Sequence, residues 1–339
     1  MKERDYRFDI VRTIACLMVV MMHAPNPKSG LSSIECVGIG LLTEPSIGLF
    51  FMVSGALLLP VRMTYFDFLK RRLGKVLMPT LFFTLFYIGV AMCYGETDVR
   101  SLPTIVCSIP FSAQGHGVLW FMYTLIGMYL TAPILSPFLE RATKRELQFV
   151  LLLWLVTMCW PLLSLILQVN TSNTSMLHVF SGYTGYFVLG YYMRRYPLRL
   201  HAIVFPLLLF VPFAACLLAK LRGLELDFYS VFWYLSIFCA MMCVAWWQMV
   251  MQHASPVRLG ERVKRWLVDF SNCSFGIYLI HIFVMRRGIW HFEPLRNTPP
   301  EFDFLITFIS TTLLSWGIAH LISRTPLGEY LIGYRRKNK

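Results

Sequence analysis

Three ionisable side chains lie in the first apolar run of the chain, in FDIVRTIACLMVVMMH: Asp9, Arg12 and His23. An ionisable group held in an apolar segment is expensive, so each asks for a functional explanation. At 100° per helical residue, the eleven steps from Arg12 to His23 bring the two within about 20° of one face, about 16 Å apart along the axis. Asp9 and Arg12 stand three residues apart, a spacing at which they can pair. The stripe would run from an ion pair at one end to a histidine at the other. A histidine titrating near pH ~6.5 can take a proton from a hydroxyl or carry a group covalently. The bland alternative is that Asp9 and Arg12 snorkel to an interface and His23 caps the helix in water.

A second cluster, Lys70, Arg71, Arg72 and Lys75, lies in FLKRRLGKVLMPT. Arg72 and Lys75 are three residues apart, so they could face one anion from the same side, and such groups suit phosphate or pyrophosphate. Positive charge that merely sets topology is the competing explanation.

Other polar residues in apolar runs have two readings each. Ser54 could be a nucleophile, but no base is visible in its own run, and a Ser-Gly pair commonly lets helices pack closely. Tyr278 and His281, with Ser274 one turn earlier, could line an acceptor channel or form a packed polar seam. Trp120, Tyr123 and Tyr129 could form an interfacial aromatic belt. Glu44, beside Pro45, could orient His23 or a sugar hydroxyl if buried, and means little if exposed at a helix end.

The elements that must position these residues are membrane spans. Hydrophobic residues are 57% of the chain and charged residues 14%, against about 25% charged in soluble proteins. Apolar runs of span length fall near 8–25, 38–59, 76–95, 117–137, 147–168, 176–193, 202–219, 228–250, 267–287 and 303–323. The expected fold is an all-α bundle of about ten spans forming a single integral-membrane domain over 1–339. Glu44 and Pro45 would break span two, and the broken backbone would have to face protein or water.

The net charge of +13 is spread as short clusters between apolar runs, with no basic module, which argues against nucleic acid. With the N-terminus inside, 23 basic residues fall in inner segments and 7 in outer ones; Arg12, inside span one, completes the 31. That bias predicts cytoplasmic termini. The opening MKERDYRFDIVR leads into a retained span rather than a cleaved signal. Of nine cysteines, Cys16, Cys93, Cys159, Cys216, Cys239, Cys243 and Cys273 read as small buried hydrophobes, while Cys36 and Cys107 fall near outer loops. No CxxC or Cys/His spacing suggests a metal. Sequons at Asn170 and Asn173 are incidental in a bacterial-looking chain.

The motifs in order resemble acyltransferase family 3, the integral-membrane O-acyltransferases. Arg12 and His23 match its first-span signature. LFFMVSGALLL resembles its FF-x-x-SG motif through Phe50, Phe51, Ser54 and Gly55. Arg72-Leu-Gly-Lys75 ahead of Pro79 is similar to its Arg-x-x-Arg element. LWFMYTLIGMYLTAP resembles its span-four signature at Trp120, Phe121, Tyr129 and Pro133, and SFGIYLIH, ending at His281, its span-nine signature. Two departures stand out: a lysine replaces the second arginine, and Val118 rather than histidine precedes Leu119, the nearest histidine being His116.

The resemblance implies an enzyme of the bacterial inner membrane. It would move an acyl group, acetyl first among candidates, from cytoplasmic acyl-CoA to a hydroxyl of an envelope glycan or lipid-linked sugar. His23, Arg12 and Asp9 would carry the chemistry, and Arg71, Arg72 and Lys75 would hold the donor. Glu44, Ser54, Trp120, Tyr278 and His281 would meet substrate, and no metal is expected. A transporter or flippase of anionic lipid-linked sugars, or acylation of a small molecule, remains the alternative. Inverted repeats would favour transport, and no convincing internal similarity is found. Oligomeric state is not written in the sequence.

Overall fold

The computed structural model describes residues 4–27, 30–111, 117–168, 175–199, 201–223, 228–254, 259–292 and 298–336, and the regular structure among them is helical. The chain separates into two compact units. Unit 1 comprises 1–59, 138–271 and 292–309, and unit 2 comprises 60–137, 272–291 and 310–339.

Unit 1 begins with α1 (Tyr6–His23), which Asp5 starts by accepting the Arg7 backbone N–H at 3.1 Å. Ser32 and Glu35 form a reciprocal capping box on α2 (Ser33–Thr43), and α3 (Pro45–Leu58) follows with Pro45 at its first position. The expected break at Glu44 is slight. Glu44 keeps right-handed helical angles, and its N–H still donates to Gly40 at 2.9 Å. What Pro45 removes is one amide donor, so the run stays a single kinked span.

In unit 2, α4 (Tyr65–Arg72) and α5 (Gly74–Cys93) meet at Leu73, which also keeps helical angles. Then come α6 (Leu102–Ser108) and α7 (Trp120–Arg141), which ends in unit 1. Unit 1 resumes with α8 (Lys144–Met158), α9 (Trp160–Leu167), α10 (Thr184–Arg195), α11 (Val204–Leu221), α12 (Phe228–Val231) and α13 (Ile237–His253). The remaining helices are α14 (Glu261–Phe283), α15 (Pro300–Ser323) and α16 (Gly328–Ile332).

Six helical stretches among the described residues are long and apolar enough to cross a membrane: Ser33–Leu58, Gly74–Cys93, Trp120–Arg141, Val204–Leu221, Glu261–His291 and Pro300–Ser323. The other four expected spans fall on shorter or more charged helices. α1 carries Arg7, Asp9 and Arg12; α8 and α9 part at Cys159; α10 has 12 residues and α13 has 17. The architecture is the expected all-helical, multi-pass membrane protein.

The core of unit 1 is the contact of α3 with α10. A Cβ at Gly55 would collide with the Phe187 carbonyl, and one at Gly190 with the Met52 carbonyl, so the two backbones touch through paired glycines. Phe51, Met52 and Phe187 are fully buried around this crossing. Arg194 closes its end by donating to the Ala56 carbonyl, where a cation suits the helix C-terminus.

In unit 2, Pro79 cannot donate to the Lys75 carbonyl one turn earlier. The chain after α16 closes on that carbonyl at Gly333 (φ 65°), where a Cβ would stand 2.6 Å from it. Positive φ and close approach together demand glycine there. At the other end of α5, Arg287 lies 4.0 Å from the Tyr94 ring centroid and donates to both Glu96 oxygens at 2.6 Å. Those bonds hold the Glu96 carboxyl below its usual range.

Candidate functional site

In unit 1 the candidate site is the interior face of α1. The helix runs unbroken through both Arg12 and His23, and the residues between them on that face, Cys16 and Val19, are 1% and 2% exposed. A helical face closed in this way is directed into protein along its middle. Arg12 and His23 are themselves half-buried, and His23 is the last helical residue.

Asp9 has a partner that the three-residue spacing did not name. Arg4 donates to its two carboxylate oxygens at 2.8 and 2.6 Å. Asp9 is buried while Arg4 is 44% exposed, so screening limits the pair to roughly 1 kcal/mol. Arg7 binds Asp5 at 2.9 and 2.7 Å and donates to the Met251 carbonyl at 3.1 Å, and Phe8 meets Trp247 edge-on at 5.8 Å. These contacts tie the start of α1 to the end of α13.

Glu44 is completely buried, so the reading in which it sits exposed at a helix end does not hold. Neither carboxyl oxygen has a hydrogen-bond partner among the described residues. The Cys239 and Cys243 thiols donate to the neighbouring backbone carbonyls of Glu44 and Pro45 at 3.5 and 3.4 Å. Ser54 is half-buried next to Gly55, whose contact with α10 gives the Ser-Gly pair a packing role.

In unit 2, Arg71, Arg72 and Lys75 are exposed. Because helical angles continue through Leu73, the three-residue spacing of Arg72 and Lys75 keeps them on adjacent turns of one surface. Lys75 also pairs with Glu329 of α16 at 2.9 Å, a carboxylate 254 residues away that no local pattern announces. Trp120 is half-buried at the start of α7, with its ring 6.4 Å from Phe121.

Tyr278 is buried, donates its hydroxyl to the Val118 carbonyl, and packs on Phe121 at 5.1 Å. His281 is fully buried, with Nδ1 2.6 Å from the Tyr278 carbonyl of its own helix. His116, Asn170 and Asn173 lie outside the described residues.

Cysteine burial follows expectation except at Cys93, which is exposed, and Cys159, which is half-exposed. Cys93 ends α5 on its exposed side, where an apolar run carries no signal of which face is turned inward.

No curated protein and no solved structure matches the chain. The family model of the acyltransferase domain matches residues 5–320, which takes in all of α1 and every motif from Arg12 to His281. A match of that extent, on a multi-pass helical chain with an interior Arg12–His23 face, places this protein in acyltransferase family 3.

Proposed function

We propose that this membrane acyltransferase moves an acyl group, acetyl first among candidates, from cytoplasmic acyl-CoA to a hydroxyl of a cell-envelope glycan or lipid-linked sugar. It would do so in the bacterial inner membrane, with both termini cytoplasmic, as the basic-residue bias predicts. The observation that carries the reading is the unbroken α1, whose Arg12–His23 face is closed by Cys16 and Val19.

In this reading Arg71, Arg72 and Lys75 take the donor's phosphates through charge-assisted hydrogen bonds. His23 meets the acceptor. The imidazole takes the hydroxyl proton as the acceptor oxygen attacks the thioester carbonyl; the carbon–sulfur bond breaks, and the departing thiolate receives the proton. A covalent variant places the acyl group on His23 first and then on the acceptor. Arg12 and Asp9 hold the cytoplasmic end of the same face.

The test is transfer of labelled acetyl from acetyl-CoA in membranes, comparing wild type, His23→Ala and His23→Gln at matched protein level. A general base or acyl carrier contributes at least about 100-fold, so both variants should lose that much turnover without losing protein. Near-normal turnover in both would end the catalytic assignment. Labelled acetyl trapped on His23 without acceptor would select the covalent variant.

A further inference from the structure

Two guanidiniums stand at the end of α14, and the transfer chemistry above uses neither. α14 passes directly into a single π turn, Val284–Gly288, which carries Arg286 and Arg287. Such turns are rare and recur at functional positions. In the orientation that the basic-residue bias predicts, this end of α14 is the outer one, so Arg286 and Arg287 belong to the minority of seven. Positive charge kept for topology belongs on the opposite side and leaves this pair unexplained.

Arg287 is accounted for within unit 2. It donates to both Glu96 oxygens at 2.6 Å, lies on the Tyr94 ring, and supplies the cation that a helix C-terminus favours. Arg286 differs. It is exposed, it forms no ion pair among the described residues, and its guanidinium carbon lies 5.8 Å from the Trp290 ring centroid. Two guanidiniums therefore share one carboxylate, which leaves one positive charge over and open to solvent. An indole face steadies a guanidinium without using its N–H donors, and that fork of donors matches a phosphate. The depth narrows the source. Arg286 lies close to the end of Glu261–His291, a stretch long and apolar enough to cross a membrane. Tyr94, 57% exposed, and the half-buried Trp290 are the aromatic types that sit at headgroup level. A phosphate at that level is one carried by a lipid.

We propose that Arg286, steadied on Trp290 at the outer end of α14, binds the phosphate of a lipid-linked sugar and so selects the lipid-linked form of the acceptor. This rests on the acyltransferase reading, in which the acceptor is a free glycan or a lipid-linked sugar. Arg286 takes no part in the proton transfer assigned to His23, and Arg287 with Glu96 fixes the turn that presents it.

The experiment uses the full chain in phosphatidylcholine nanodiscs, with tritiated geranylgeranyl diphosphate as probe. Geranylgeraniol serves as the neutral competitor, CoA as the competitor for Arg71, Arg72 and Lys75, and the thermal midpoint of each variant is followed. Wild type should bind the probe saturably, undisplaced by geranylgeraniol or CoA and undiminished when phosphatidylglycerol is added to the bilayer. Arg286→Ala should weaken binding about tenfold or more, the loss of one charge-assisted contact, with an unchanged midpoint. Arg286→Lys should weaken it about threefold, because the charge stays and the fork is lost. Absence of saturable binding in wild type, displacement by CoA or geranylgeraniol, or undiminished binding in Arg286→Ala would overturn the site. Competition by phosphatidylglycerol would overturn it too, by making the occupant a bulk lipid headgroup. So would a lowered midpoint in Arg286→Ala, because the guanidinium would then be structural. Arg286-dependent binding in a protein that transfers no acetyl would reject the acyltransferase reading and leave the site standing. His23-dependent transfer in a protein whose probe binding ignores Arg286 would do the reverse.

Discussion

The polar residues Asp9 and Glu44 of unit 1 turn inward, and the basic residues at the start of α5 in unit 2 turn outward. In the most apolar 18 residues of the Ser33–Leu58 run of unit 1, 67% are buried within the protein, whereas in those of the Gly74–Cys93 run of unit 2, 39% are buried. Around the first lie Asp9, the closed Arg12–His23 face and a completely buried Glu44; around the second, Arg71, Arg72 and Lys75 stand in the open. A buried polar group in an apolar interior costs stability whether or not a ligand is present, while an exposed cation costs almost nothing until an anion arrives. Substitutions in unit 1 should therefore act on folding and chemistry, and substitutions at the start of unit 2 on affinity.

The sharpest contrast is between glycines. Gly190→Val drives a side chain into the Met52 carbonyl, a backbone atom that cannot step aside, and should cost about 3 kcal/mol or more. Gly89→Val in α5 meets nothing within 4 Å and should fold normally. Loss of folded protein in detergent, followed by gel filtration and thermal midpoint, checks both. Equal tolerance of the two would erase the distinction between the units.

Next in size is the Arg72–Lys75 cluster proposed for the donor. Arg72→Ala and Lys75→Ala should each raise KM for acyl-CoA about 10- to 150-fold, the equivalent of one charge-assisted contact, with protein level unchanged. Arg72→Lys should recover part of this, because the planar fork is lost and the charge kept. Unchanged donor binding in the Arg72/Lys75 double variant would assign the cluster to topology alone.

The smallest effect tests the ion pair that competes for Lys75. Its two side chains are 48% and 46% exposed, so the pair is worth at most about 1 kcal/mol and is screened by salt. Glu329→Gln should lower KM for acyl-CoA by up to about fivefold at low ionic strength, and by nothing measurable at high salt. A rise in KM instead would make Glu329 part of the donor's own seat.

The ten apolar runs were legible because each holds helix, and the Arg12–His23 face was legible because an uninterrupted helix keeps its 100° step. The Arg4 contact of Asp9 was not, because Arg4 reaches the carboxylate from the segment that precedes α1, outside any helical spacing. The burial of Glu44 was left open by a helix-end position, which fits solvent or core equally. Lys75 with Glu329, and Gly55 with Phe187, join residues far apart in the chain, and periodicity within a run says nothing about such pairs. Tyr278 and His281 each meet a backbone carbonyl, contacts that residue type alone does not announce.

The closing of α16 and Gly333 over the Lys75 carbonyl also sets an order of assembly. Unit 2 is written in three instalments, and its last, 310–339, is made after the long 138–271 stretch of unit 1. At about 5–20 residues per second, the ribosome needs roughly 13–50 s to travel from Lys75 to Glu329. Throughout that interval α5 is inserted with its proline-freed carbonyl uncovered and its lysine unpaired by the carboxylate it will later meet. The two units therefore mature on different clocks during biogenesis, and a nascent chain stalled before residue 328 would carry the α1 face complete and the start of α5 unfinished.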